Sequence, residues 1–217
     1  MSTIAQRLPR DRRFEFSSQA CPIDTFAVVR MSGFEAISRP YRFELLLVSD
    51  DARIDLARVL AAKAELRILA PDNHGQATPY AGMLAEFDQL HQAGGFTFYR
   101  AVLVPRLWQL SLYRNSEVYL HEQTITDIVE GILKGAGLNP TNDYTLKLKG
   151  RYRPRSYVCQ YQETPLAFIS RWLEREGIYY YFEQADGVDR LVLLDDKVAQ
   201  PAPAVAVNHR PADELDV

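Results

Sequence analysis

Cysteine is scarce in this chain of 217 residues, which contains only Cys21 and Cys159. Two cysteines cannot build the dense disulfide framework of a small secreted scaffold, so a reduced protein of the cytosol is expected. Cys159 lies in an apolar and aromatic run, where a buried thiol is the default expectation. Residues 1–13 lack the apolar stretch of a signal peptide, and no apolar run reaches membrane-spanning length. If the protein leaves the cell, the sequence predicts a route other than general secretion.

A surplus of positive charge is also absent. The chain has 25 Lys and Arg against 28 Asp and Glu, which gives a formal net charge of −3. A basic face is the usual mark of a nucleic-acid-binding protein, so no nucleic-acid partner is predicted. With 47% hydrophobic residues, a chain of this length can bury the core of one large domain or of two small ones.

Metal-binding and catalytic motifs are missing as well. His121-Glu122 begins like the zinc-protease helix motif, but no second histidine follows one turn later to complete a helical clamp. The remaining histidines are scattered along the chain: His74, His91 and His209. No serine lies in a G-x-S-x-G elbow, and no glycine-rich segment follows a strand as a phosphate-binding loop does. The sequence therefore predicts no metal site and no cofactor site.

The paired acidic residues do not predict a catalytic site either. Glu174 and Glu176 are two residues apart on a predicted helix, so their side chains point in different directions and do not suit general acid/base catalysis. Asp195 and Asp196 follow a predicted strand, where a solvated pair is expected. No catalytic residue is therefore predicted, and an enzyme has no positive support. Because catalytic groups can converge from distant positions, a hydrolase stays open as an alternative.

The first half of the chain is rich in predicted strands. Residues 26–31 contain β-formers and are followed by Ser32-Gly33, which predicts a turn. Residues 41–48 begin with strict alternation and then become apolar throughout, as in a strand whose sheet is covered on both faces. Three further elements follow from local composition: a short helix over residues 54–60, a strand over 64–69 and a turn over 71–75.

A long hairpin is the clearest local signal in this half. Residues 81–92 and 96–104 flank Gly94-Gly95, and a Gly-Gly pair suits the positive φ angles of a tight hairpin turn. Consecutive strands with short connections and one small helix predict a twisted antiparallel barrel or sandwich.

Two helices are predicted in the second half. Thr124 suits an N-cap, with Asp127 placed to complete a capping box, and apolar residues follow at helical spacing up to Gly135. Thr164, followed by proline, opens a second helix, which ends at Gly177 in the manner of a left-handed cap.

A second hairpin, around the turn Asp186-Gly187, contains the densest aromatic run of the chain. The run consists of Tyr179, Tyr180, Tyr181 and Phe182. In a strand these side chains alternate, so both faces would be aromatic and each would need a partner surface. Two interpretations remain: a core strand whose tyrosine hydroxyls reach the rim, or a strand with one face in a subunit interface, where Tyr is enriched.

Five segments between residues 26 and 196 carry motifs that are specific in combination. The chain reads GFEAISRPYRF at residues 33–43, PRLWQL at 105–110 and EQTITDI at 122–128. It continues with VCQYQETPLAFISR at 158–171 and LEREGIYYYF at 173–182. In this order the segments resemble the VgrG family, the spike proteins of the type VI secretion system.

The resemblance implies an α+β fold that is mainly antiparallel β and similar to a phage baseplate hub. A tail-tube-type β-barrel is expected over residues 14–115, followed by an α+β hub region over 116–200 with two helices and a hairpin. Residues 1–13 are expected to be a flexible N-terminus, and residues 201–217 a linker. Family members continue with further domains, so this chain is expected to be an N-terminal part, and its own oligomeric state stays open.

The resemblance also implies a structural function without chemistry. In that family, three subunits form a ring that caps the inner tube and carries the spike, which a contractile sheath drives through a membrane. The implied partners are other copies of the chain, inner-tube and baseplate proteins, and effectors or adaptors. Assembly is expected in the cytoplasm, followed by export through the type VI apparatus. The hub of a contractile-tail phage or prophage has the same fold and is an alternative function.

Overall fold

The computed structural model describes residues 13–69 and 77–197, and three sequence predictions lie wholly or almost wholly outside this part: the flexible N-terminus, the turn at 71–75 and the linker at 201–217. The strands are β1 (Phe14–Ser18), β2 (Ala27–Ala36), β3 (Arg39–Ser49), β4 (Lys63–Leu69), β5 (Ala77–Ala93), β6 (Phe96–Val104), β7 (Asn115–Tyr119), β8 (Tyr144–Lys147), β9 (Val158–Glu163), β10 (Tyr179–Ala185) and β11 (Val188–Leu194). The α-helices are α1 (Leu56–Ala61), α2 (Ile125–Gly135) and α3 (Pro165–Glu176).

Six strands form one antiparallel sheet in the order β1-β4-β5-β6-β3-β2. The sheet curls into a half-barrel, which brings its two end strands β1 and β2 close together. Alternate side chains of β3 point into the core, and Tyr41, Leu45 and Leu47 are fully buried there. Val48 faces the opposite way and is also fully buried, so the end of this strand is covered on both faces, as its apolar run predicts.

The hairpin of β5 and β6 confirms the prediction made from Gly94-Gly95. Both glycines have positive φ angles, 60° and 82°, which a residue with a Cβ adopts only at a cost. The two strands pair along most of their length, and irregular register occurs next to Glu86 and Gln92. These irregularities add twist, which helps a sheet to curl.

The turn predicted at Ser32-Gly33 is wrong. β2 continues through both residues, and the chain reverses later, at Ser38, whose φ is 59°. Gly33 is paired with Phe43 in the ladder, and a Cβ at Gly33 would lie only 2.4 Å from the carbonyl oxygen of Arg42. Gly33 therefore allows two strands to approach each other closely. The local sequence does not distinguish such a glycine from one in a turn.

The short helix predicted over residues 54–60 is present as α1, and both helices predicted in the second half are present with the expected caps. Thr124 and Asp127 form a reciprocal capping box at the start of α2, which ends at Gly135. The Thr164 hydroxyl accepts a hydrogen bond from the first turn of α3, and Gly177 closes that helix with a φ of 72°. The apolar faces of both helices lie in the same core cluster as the inner face of the half-barrel.

Two small sheets complete the second half. β10, β11 and β8 form one of them, in which β8 runs parallel to β11, and β7 pairs with β9 in the other. The inner face of the β7–β9 ribbon packs on α3, where the rings of Tyr119 and Phe168 stack 5.5 Å apart. In the described part of the chain, no helix is both long and apolar enough to cross a membrane.

Cys21 and Cys159 are both free thiols. Full burial, expected for Cys159, is wrong, because this residue is only half-buried in β9. It is paired across the ribbon with Val118, which is 47% exposed. The outer face of the ribbon therefore carries apolar side chains that the described residues do not cover.

Candidate subunit interface

The aromatic run forms β10, and its side chains alternate between two surroundings. Tyr180 and Phe182 point into the core and are 1% and 7% exposed. The Phe182 ring meets the ring of Tyr41, on β3, edge to face at 5.3 Å, which joins the hairpin to the half-barrel. For these two residues the structure therefore matches the core-strand interpretation.

Tyr179 and Tyr181 lie on the opposite face of β10 and are half-buried. The Tyr179 hydroxyl donates a hydrogen bond to the main-chain oxygen of Asp196 at 3.0 Å. The Tyr181 hydroxyl donates to the carboxylate of Glu183 at 2.9 Å, and Lys147 of β8 reaches the same oxygen at 3.1 Å. Burial and the hydrogen bond to Glu183 raise the pKa of Tyr181 to about 12, so this hydroxyl is protonated at neutral pH.

The edge of β10 that does not pair with β11 is hydrogen-bonded to the half-barrel. The Ser38 N–H, at the β2–β3 turn, donates to the carbonyl oxygen of Tyr180 at 2.8 Å. The Tyr180 N–H donates to the Ser38 hydroxyl at 3.3 Å, and the Ala81 N–H donates to the side chain of Gln184 at 2.8 Å. Because this edge is occupied, the face carrying Tyr179 and Tyr181 is the part of β10 that remains partly exposed.

A buried ionic cluster connects the turn end of the β10–β11 hairpin to the half-barrel. The Arg106 guanidinium lies between two carboxylates, 2.8 Å from Asp143 and 2.9 Å from Asp189, whose side chains are only 2% and 3% exposed. The main-chain N–H of Arg106 also donates to Asp189, at 2.5 Å. Arg106 follows β6, whereas Asp189 lies in β11 and Asp143 just before β8, so the cluster connects the two halves of the chain.

The two carboxylates respond differently to this position. Burial raises the pKa of Asp189 above its ordinary value, even though hydrogen bonds from Arg106 act in the opposite direction. Burial also opposes ionisation of Asp143, but hydrogen bonds from Arg106 and from the Asn139 N–H outweigh it and lower the pKa of Asp143. The hydrogen-bond donors around Asp143 therefore outweigh its burial, whereas those around Asp189 do not.

Asp195 and Asp196 are both partly exposed at the end of β11, and the Asp195 carboxylate in addition accepts several hydrogen bonds. The Asp195 carboxylate accepts hydrogen bonds from the N–H groups of Lys149 and Gly150, at 2.9 and 2.6 Å, and from the Tyr152 hydroxyl at 2.7 Å. Although burial acts in the opposite direction, these donors lower the pKa of Asp195. Asp195 therefore fixes the segment that follows β8.

Stability is expected to fall in acid. A lowered folded-state pKa, as in Asp143 and Asp195, stabilises the fold above the ordinary carboxyl pKa of about 4, and this stabilisation is lost as pH falls through the lowered value. The raised pKa of Asp189 acts in the opposite sense, because that group favours folding as pH falls through its raised value. Thermal unfolding between about pH 6 and pH 3 measures the balance. Asp195→Asn should show a weaker decline than the wild type, and an equal decline would contradict the assignment.

The other acidic and histidine residues weighed in the sequence do not come together. Glu176 pairs with Arg155 at 2.5 Å, whereas Glu174 is exposed. His91 stacks on Phe98 with ring centroids 4.7 Å apart, and His74 and His209 lie outside the described residues. No group of three metal-ligating side chains occurs within residues 13–69 and 77–197.

Sequence reasoning missed the Arg106 cluster. Its members are 37 and 83 positions apart, and each side chain alone resembles an ordinary charged residue near a strand end. An available signal was Asp189, a charged residue that alternation places on the inward face of a predicted strand. A buried charge of this kind requires a partner of opposite sign.

The half-barrel of six antiparallel strands, joined to a helical and aromatic region, is similar to the fold of phage tail hub proteins. The c3393 protein of E. coli, a component of the type VI secretion system with structural similarity to T4 bacteriophage tail proteins gp27 and gp5, has a similar structure. The two superpose with a TM-score of 0.77 at 25% identity, over 87% of this chain and 51% of that one.

The chain belongs to the phage tail baseplate hub (GPD) family, whose model matches residues 34–216. The resemblance to VgrG proteins is also confirmed. The type VI secretion system spike protein VgrG5 of Pseudomonas aeruginosa is 37% identical over 177 residues, and VgrG1b of the same organism is 32% identical over 174 residues. These matches span 81% and 80% of this chain but only 22% and 23% of those proteins, so the chain corresponds to less than a quarter of either relative.

Proposed function

We propose that this chain is a structural hub module of a type VI secretion spike. In this role it docks the spike onto the inner tube and transmits the force of contraction during effector delivery. The observation that carries the proposal is the match to the hub family over residues 34–216, supported by the similar fold of the E. coli type VI component. The module acts by binding and holding, without catalysing a reaction.

Three copies around the axis of the inner tube are the proposed assembly, with baseplate proteins and effectors or adaptors as further partners. The protein assembles in the cytoplasm and leaves through the type VI apparatus. Tyr179 and Tyr181 are proposed to contribute to a subunit interface, since they occupy the accessible face of β10. Tyr180 and Phe182 support that face from the core.

Secretion by the native host tests this function. Deleting the gene is expected to abolish release of the inner-tube protein into the medium, and electron micrographs of the purified native protein are expected to show three-fold rings. Tyr181→Ala should weaken assembly while the fold is retained, whereas Phe182→Ala should destabilise the fold by about 3–5 kcal/mol, because it removes a buried aromatic side chain. Normal secretion without the gene, together with particles that lack a ring, would exclude the proposal.

A hub of a contractile phage tail is the second candidate, favoured by the phage tail description of the matching family. The two functions share a fold and differ in their assembly. Purification of native particles separates them, because a phage hub is recovered with tail and DNA-filled capsid proteins. A type VI hub is recovered with inner-tube, sheath and baseplate proteins, and without capsid proteins.

A further inference from the structure

The half-barrel has an open seam between its two end strands. β1 and β2 lie close together, but no backbone hydrogen bond joins them within the described residues, and a cleft of about 420 Å³ separates them. Phe14, Phe16 and Phe26 line the cleft, and Ile23 on its edge is 79% exposed. Open strand edges carry unpaired N–H and C=O groups, so the seam combines an apolar surface with free hydrogen-bonding groups.

Acidic side chains dominate the rim of this seam. Glu15, Asp24 and Glu65 lie around the cleft, and Arg67 is the basic residue among them. Arg67 lies 2.9 Å from the Glu15 carboxylate and 3.9 Å from that of Glu65. One guanidinium is therefore shared by two carboxylates, while Asp24 makes no ion pair with any described residue, and the rim is net negative.

A basic segment lies in the other half of the chain, immediately after β8. Every second residue from 147 to 155 is Lys or Arg, and no acidic residue interrupts the run. Lys147, Lys149 and Arg155 are paired with carboxylates of their own chain. Arg151 and Arg153 are exposed and form no ion pair or hydrogen bond with any residue of 13–69 or 77–197. Their charge is therefore available to a partner.

Aromatic side chains adjoin this basic segment. Tyr157, which immediately precedes β9, is 62% exposed. The guanidinium of Arg175 lies 5.0 Å from the centre of the Trp172 ring, and Arg155 lies over the same ring at 4.9 Å. Arg, Tyr and Trp are the residues most enriched in the energetic centres of protein interfaces. The composition favours a protein partner over solvent.

We propose that this basic–aromatic surface, formed by Arg151, Arg153, Tyr157 and Arg175, docks onto the acidic seam of a second copy of the chain. Guanidinium groups bind carboxylates and main-chain carbonyl oxygens, both of which the seam presents. Each surface lacks its complement within the described part of its own chain, and the opposite charges match the two surfaces to each other. Exposed Tyr157 and exposed Ile23 supply apolar area to the same contact.

The contact joins two different surfaces, so it is heterologous. Each copy donates its basic–aromatic surface to one neighbour and receives another neighbour at its seam, which generates a closed ring or an open filament. The inference rests on the proposed function, because a ring is the assembly that a hub requires. Beyond the proposed function, the inference specifies which two surfaces meet in the ring, and it identifies the open seam of the half-barrel as the acceptor.

Two charge-reversed variants of the 217-residue chain test the contact by sedimentation velocity. Arg151→Glu/Arg153→Glu removes the donor surface, and Glu15→Lys/Asp24→Lys removes the acceptor. The wild type is expected to self-associate, and each variant alone to associate at least about tenfold more weakly, because like charges then face each other. An equimolar mixture is expected to recover association, because the intact donor of one variant meets the intact acceptor of the other, and the two reversed surfaces are also opposite in charge.

Arg53→Glu/Arg114→Glu is the matched control, because it reverses two exposed arginines outside both surfaces and should associate like the wild type. Thermal unfolding confirms that each variant is folded. A wild type that stays monomeric at every soluble concentration would overturn the proposed contact, as would association that both variants retain. Either result leaves the secretion test of the proposed function unaffected, so the two failures are distinguishable.

Discussion

Arg106→Met is expected to destabilise the fold by about 3–5 kcal/mol at neutral pH, because it leaves two buried carboxylates without their cation. Methionine has a similar length but cannot donate to Asp143 or Asp189, whose side chains are 2% and 3% exposed. The main-chain N–H groups that also reach these carboxylates remain, but they carry no full charge. Chemical denaturation of the variant beside the wild type measures the difference.

The penalty should also depend on pH. An unpaired buried carboxylate has a raised pKa in the folded state, so protonation relieves the penalty as pH falls through that raised value. The difference between Arg106→Met and the wild type is therefore expected to be largest near neutral pH and smaller in mild acid. Arg100→Met is the control, because it breaks ion pairs with Glu44 and Glu86, whose side chains are 44% and 42% exposed. We expect it to cost about 1 kcal/mol or less. Equal losses in the two variants would contradict the special role of Arg106.

Gly82→Val is expected to destabilise the half-barrel by about 1–3 kcal/mol, as overpacking of a close-packed core does. A Cβ at Gly82 would lie 2.2 Å from the carbonyl oxygen of Val104, and 3.2 Å from the Tyr41 hydroxyl. The nearest obstacle is main chain of the neighbouring strand, so β5 and β6 must separate to admit any side chain. The midpoint of thermal or denaturant unfolding reports the loss.

Gly131→Ala is expected to change the stability in the opposite direction and serves as the comparison. Gly131 lies inside α2, is exposed, and a Cβ there meets no heavy atom within 4 Å. Replacing glycine by alanine in an exposed helix interior stabilises by roughly 0.8–1 kcal/mol, because the unfolded chain loses conformational freedom. If both substitutions shift the unfolding midpoint in the same direction, close strand approach is not the reason for Gly82.

Elements with strong local signals were predictable from the sequence. The capping box at Thr124, the left-handed cap at Gly177 and the Gly94-Gly95 turn each depend on contacts within a few residues. Short strands were not predicted, since β1, β7 and β8 contain only four or five residues, too few for an alternating pattern to be distinctive. Their pairing partners, which lie elsewhere in the chain, make them strands.

Glycine shows most plainly where local reasoning fails. Gly33 follows serine in a pair typical of turns, yet it lies in a ladder where the neighbouring strand leaves no space for a Cβ. Gly94 occupies a turn, as predicted, with nothing near its Cβ position. The two residues differ in their neighbours across the sheet, and a single sequence does not contain that information.

The aromatic run of β10 also shows which features local sequence predicts and which depend on tertiary contacts. Alternation alone places Tyr180 and Phe182 on one face and Tyr179 and Tyr181 on the other. The sequence does not indicate which face is buried, because both faces are aromatic. Contacts with Tyr41 and Ser38 on the half-barrel decide it.

The sequence by itself determined the helices, the two hairpins, the hub-like class and the family resemblance, because periodicity, caps and motifs act over short distances. Only the tertiary structure decided that the half-barrel stays open at a seam and that Arg106 joins partners 37 and 83 residues away. It also decided which side chains of each strand stay exposed. Burial and charge pairing depend on what the fold brings together, and in this chain those neighbours come from distant segments.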